Sequence, residues 1–95
     1  MPPVFTDFRV SSAAHAHMRD KHGLTVEAAE EAPAWYRATD TPGLERRYLA
    51  AGRTQAGRRL WVIVADEGRG RARLITAREP SGRKEMARHR SLRGE

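Results

Sequence analysis

The chain contains no cysteine, so neither a disulfide framework nor a thiolate metal site can form in it. No apolar run approaches the roughly 20 residues that a helix needs to cross a bilayer. The first residues also show no charged start followed by an apolar stretch. A soluble, cytoplasmic protein is therefore the expectation. Serine is present, but never on the strand-turn-helix pattern of a nucleophile elbow, and so no protein-borne nucleophile suggests itself. Gly68-Arg69-Gly70 reads as a hairpin turn carrying a charge, without the strand-to-helix setting of a phosphate loop.

Metal ligation is equally ill served. His15, His17 and His22 are close in sequence, but on a helix residues two apart point to nearly opposite faces, and residues seven apart are separated by about 10 Å of rise. They cannot share one ion while helical, and no metal or other cofactor is expected.

What is present is arginine. Sixteen of the eighteen basic residues are Arg, and they are unevenly placed: residues 1–45 carry a net −3 and residues 46–95 a net +9. Such asymmetry points to a polyanionic partner for the second half, nucleic acid first among them. Coding bias towards Arg, Ala and Gly would give a similar composition, so charge alone does not decide the matter.

The 95 residues make one domain, with a core over about 11–90 and arms at 1–10 and 91–95. Three strands in succession dominate it, at 46–51, 59–65 and 71–77, separated by glycine-bearing spacers. The middle one has the longest apolar run and is expected in the interior, with its arginine-flanked neighbours nearer the sheet edges. Strict alternation puts Ala72, Leu74 and Thr76 on one face of the third strand and Arg73, Ile75 and Ala77 on the other. Ahead of the strands, Ser11 or Ser12 can cap a first helix that Gly23 closes, and Thr25 opens a second that Pro33 ends. Residues 34–38 suit a short edge strand and 39–43 a turn. Residues 83–90 read as a basic C-terminal helix, with a frayed tail beyond. The expected fold is α+β: two N-terminal helices packed on a 3–4-stranded antiparallel meander, with a C-terminal helix.

One reaction class needs no protein nucleophile. RNA supplies its own 2′-hydroxyl, so cleavage requires a proton acceptor, a proton donor for the leaving 5′-oxygen, and cations for the phosphate. Arg53, Arg58, Arg73, Arg78, Glu85 and His89 lie in or after the strands, where a sheet could hold them together. For any single arginine a solvated charge or an ion pair is the simpler reading; the weight rests on the cluster. Trp61 is expected in the core more than as a stacking platform.

Several segments carry a resemblance. They are Lys21-His22-Gly23 with the Thr25/Glu27 helix start, residues 47–54 (Arg-Tyr-Leu-Ala-Ala-Gly-Arg-Thr), the apolar strand 60–64, residues 73–78 (Arg-Leu-Ile-Thr-Ala-Arg), and Arg83-Lys84-Glu85. In order and spacing they resemble the BrnT family of bacterial toxin–antitoxin toxins, over roughly residues 15–89. The resemblance implies a RelE-like fold and a metal-independent ribonuclease that inhibits translation. It also implies a BrnA-type antitoxin that neutralises the toxin, with operator DNA bound only through their complex. Carried over by position, Arg53 and Arg78 match arginines near the phosphate, and Glu85 matches the glutamate of the terminal helix. His89 stands where relatives usually carry tyrosine, and a histidine can do acid–base work near neutral pH. Arg53, Arg78, Glu85 and His89 are thus the catalytic candidates, with RNA contacts expected from Lys21, His22, Arg58, Arg73, Arg83 and Lys84. The alternative is a non-catalytic module of the same fold that binds nucleic acid or a protein partner, including a domain whose basic half matches an acidic protein.

Overall fold

A computed structural model of the chain describes residues 3–10, 21–39 and 45–95. Five strands and two helices occur among them: β1 (Asp7–Val10), α1 (His22–Glu31), β2 (Tyr36–Thr39), β3 (Arg47–Arg53), β4 (Arg59–Gly68), β5 (Arg71–Arg78) and α2 (Gly82–Leu92). The strands form one mixed sheet in the order β1-β5-β4-β3-β2. β2 to β5 pair antiparallel, while β1 runs parallel to β5 with Phe8 opposite Ala72 and Val10 opposite Leu74.

This overturns the expected architecture of two N-terminal helices on a 3–4-stranded antiparallel meander. The N-terminal arm is a strand because its apolar residues alternate: Phe8 and Val10 pack on the core, and Asp7 is exposed. Phe5 meets Trp35 edge-on at 5.2 Å between ring centroids, and Phe8 stacks on the same indole at 5.8 Å. With β1 and β2 added outside them, β5 and β3 are interior strands and not edges.

The first expected helix falls on residues 11–20, and the expected turn largely on 40–43, both outside the described residues. Gly23 does not close a helix but lies within α1, which begins at His22. Thr25 does not cap α1 either. Its hydroxyl donates back to the Lys21 carbonyl at 2.8 Å, one turn earlier, a bond available only to a threonine already inside the helix. α1 does end before Pro33, as a residue preceding proline is pushed out of helical geometry.

The central strand β4 presents apolar residues to both sides. Leu60, Val62 and Val64 are fully buried under α1, where Ala28 and Ala29 make a thin helix face. The approach is close: a Cβ on Gly52 would stand 2.4 Å from the Ala28 carbonyl oxygen, so only glycine fits. Trp61, Ile63 and Ala65 point to the opposite face, which α2 covers at one end. Tyr36 on β2 ties that helix down, its hydroxyl 3.3 Å from the Leu92 carbonyl oxygen.

β4 and β5 join through Arg69 and Gly70, with φ of 55° and 77°. Positive φ at both central residues is the geometry whose twist matches a two-residue hairpin. The pairing is interrupted further on. Val64 faces Leu74, but Ile63 faces Thr76, so Ile75 is an extra residue on β5. This bulge reverses the alternation predicted from the sequence. Thr76 and Arg78 turn to the face of Ile63 and Trp61, and Ala77 to that of Val62. Without it Arg78 would share a face with Ala72 and Leu74, in the core.

The C-terminal tail is not frayed. Arg93 donates to Glu31 on α1 and to the Ala51 carbonyl (2.9 Å), and Glu95 is bound by Arg59 and Arg93.

Candidate functional site

The bulge and the start of α2 bring Arg78 and Glu85 together. Arg78 Nη1 stands 2.7 Å from Glu85 Oε1. The same oxygen accepts from the Ser81 backbone N–H at 3.1 Å and from the Trp61 indole N–H at 3.2 Å. Three donors on one oxygen leave Oε2 with no hydrogen bond among the described residues. Arg78, then Ser81 and Trp61, favour the ionised carboxylate and hold its pKa down to about 2. Arg78 is in turn held more firmly protonated by Glu85. Its side chain is 59% exposed, so the pair opens to solvent.

The pair forms one wall of a concavity of about 260 Å³ on the outer sheet face, with Leu49, Trp61, Ile63, Thr76 and Arg88 as the rest. Arg88 lies over the Trp61 ring with its guanidinium carbon 5.7 Å from the ring centroid. Sequence reasoning missed Arg88 as a site residue. A signal for it existed: Arg88 follows Glu85 by three positions on a helix, which sets the two side by side.

His89 goes elsewhere. It is fully buried, its ring edge-on to Trp61 at 4.8 Å. Nε2 lies 3.2 Å from the Leu60 carbonyl oxygen, and Nδ1 lies 3.2 Å from Arg59 Nη1. An arginine can only donate, so Nδ1 is bare and Nε2 carries the proton: these partners fit the neutral ring. Burial lowers the imidazolium pKa, with Arg59 and Arg93 pushing the same way. A side chain so enclosed cannot hand a proton to a substrate in this conformation, and the acid role expected of His89 has no support here. It is a core residue that holds Trp61 from behind.

Arg53 is likewise apart from Arg78. It sits one register layer beyond Trp61, opposite Arg59, and lines a different concavity with Glu27, Glu30, Glu31 and Arg93. Its backbone N–H donates to Glu31 at 2.8 Å, and its guanidinium is 3.8 Å from Glu95. Arg58 is paired with Glu79 at the rim below α2. Arg73 lies towards the far end of the outer face, opposite Ala65, bound by Glu45 and Glu67. Arg83 and Lys84 are exposed on the first turn of α2. Lys21 and His22 stand at the start of α1, the helix on the opposite side of the sheet. The structure thus gathers Arg78 and Glu85 and disperses the remainder, Arg83 lining a separate concavity on α2 with Met86, Ala87 and Arg90.

Among the described residues no group of His, Asp or Glu is arranged to hold a metal ion. No helix among them is long and apolar enough to cross a membrane. No family model, curated protein or solved structure matches the chain.

Proposed function

We propose that this chain is a metal-independent ribonuclease toxin of a bacterial toxin–antitoxin system, similar to the BrnT family, acting in the cytoplasm and neutralised by a BrnA-type antitoxin. The observation that carries the reading is the exposed Arg78–Glu85 pair, in which one carboxylate oxygen takes three donors and the other has no hydrogen bond among the described residues. At rest Glu85 is too acidic to be a useful base. A phosphodiester competes for the Arg78 guanidinium, and as that contact transfers, the main cause of the low Glu85 pKa is removed. Oε2 then accepts the proton of the 2′-hydroxyl. The 2′-oxygen bonds to phosphorus, the bond from phosphorus to the 5′-oxygen breaks, and a 2′,3′-cyclic phosphate forms. Arg78 and Arg88 stabilise the charge on the phosphate, and water at the open mouth protonates the leaving oxygen.

Enclosure of His89 favours a second reading, a non-catalytic nucleic-acid- or partner-binding module, because it removes the one side chain suited to proton transfer near neutral pH. Inducible expression in a bacterial host, wild type beside Arg78→Ala, separates the two. Growth arrest with loss of total RNA integrity in the wild type alone supports the ribonuclease. Equal growth with intact RNA at matched soluble levels leaves the binding module.

A further inference from the structure

The concavity has a part that the phosphate chemistry does not use. Leu49 faces Ile63 across β3 and β4, and Ile63 faces Thr76 across β4 and β5, so these three side chains form a row on the outer face next to Trp61. Such a row is a flat apolar floor with one hydroxyl at its end. Over its edge hangs Arg88, which makes no ion pair among the described residues and rests on the indole instead. A guanidinium held only by a ring can leave it for a stronger partner at small cost.

A ligand that fits must offer a planar, weakly polar face to the floor and an anion to Arg78 and Arg88 at the mouth. We infer that the floor of Leu49, Ile63 and Thr76 is a nucleobase subsite, and that a single-stranded ribonucleotide lies on it with its phosphate between Arg78 and Arg88. An apolar side chain of a protein partner would suit the floor but would leave Arg88 with no anion among the described residues, while Arg78 keeps Glu85. This subsite rests on the ribonuclease reading for its role, and not for its existence. It gives the enzyme a hold on the nucleotide beside the cut, where unstacked bases in single-stranded RNA can reach it.

The test uses the full chain, isotope-labelled, titrated separately with the four ribonucleoside 3′-monophosphates, ribose 5-phosphate and inorganic phosphate. At least one nucleotide is expected to shift the methyl signals of Leu49, Ile63 and Thr76. It should bind about fivefold or more tightly than ribose 5-phosphate, which is what burying roughly 40 Å² of apolar surface contributes. Inorganic phosphate should move the Arg78 and Arg88 side-chain signals and leave the methyl groups in place. Leu49→Asp, on the half-buried outer face, should abolish the nucleotide's advantage and leave phosphate binding detectable. Ribose 5-phosphate binding as well as every nucleotide, or nucleotides leaving the methyl signals of all three residues unmoved, would overturn the subsite. If RNA is cleaved and the methyl signals stay still, the subsite falls and the ribonuclease stands. If nucleotides bind as described and RNA stays intact, the ribonuclease falls and the subsite stands.

Discussion

His89 gives the account its sharpest stability prediction. Its side chain is fully buried and both ring nitrogens are engaged. His89→Ala leaves a cavity and takes away the second bond to the Leu60 carbonyl, which keeps its ladder partner Gly52, and the loss costs about 3–5 kcal/mol, most of it from the cavity. A domain of this length has only about 5–14 kcal/mol in all. In urea, with a slope of about 2 kcal/mol per molar, the midpoint should fall by about 2 M. His89→Gln is the companion variant, because its amide can donate to Leu60 and accept from Arg59 without titrating. The pH dependence follows from the same contacts. The folded state holds the ring neutral with a lowered pKa, so the unfolded chain binds the proton more readily. The wild type therefore has this contribution in full above about pH 6.5 and loses it as pH falls towards the folded value. His89→Gln should lack that decline. Urea melts followed by circular dichroism between pH 8 and pH 5 measure both effects. A His89→Ala variant within about 1 kcal/mol of wild type, or an unchanged pH slope in His89→Gln, would refute the buried neutral ring.

Three other consequences are open to measurement. Gly52→Ala forces a Cβ against the Ala28 backbone and should cost at least about 2 kcal/mol, lowering the melting midpoint by about 10 °C or more in a thermal scan. Trp61→Phe keeps a ring beside His89 but removes the N–H that bonds Glu85. The Glu85 pKa should rise from about 2, read by carboxylate NMR titration, and the stability it supplies, complete above its ordinary value near 4.5 and lost as pH falls towards 2, should fade at a higher pH. Removing residues 93–95 deletes the Arg93 bonds to Glu31 and Ala51 and the Glu95 bond to Arg59. The cost should be about 1–2 kcal/mol in urea melts and should shrink at high salt, as ion pairs at a partly exposed site are screened.

How much of this was legible depended on the range of the signal. The central strand announced itself through Leu60, Val62 and Val64 alternating with Trp61 and Ile63, and the turn through glycines flanking Arg69, because both are local. The parallel pairing of β1 with β5 was not legible: it joins a four-residue strand to a partner more than sixty positions away. Phe8-Arg9-Val10 carried the period of a strand but was too short to argue from. The bulge at Ile75 had no sequence mark either, since Ile-Thr-Ala suits an unbroken strand equally well. Yet that single extra residue decides whether Arg78 faces the core or the site. His89 was misread for a related reason. Helix position sets its neighbours on α2, but only the sheet register shows that Leu60 and Arg59 wait beneath it.

The most direct test of the ribonuclease reading is cleavage of a labelled single-stranded RNA by the purified chain in the presence of a chelator, with Arg78→Ala in parallel. The account predicts fragments ending in 2′,3′-cyclic phosphate, undiminished by the chelator, and a loss of about 100-fold or more in the variant. Intact RNA with the wild type, or equal cleavage by the variant, would contradict it.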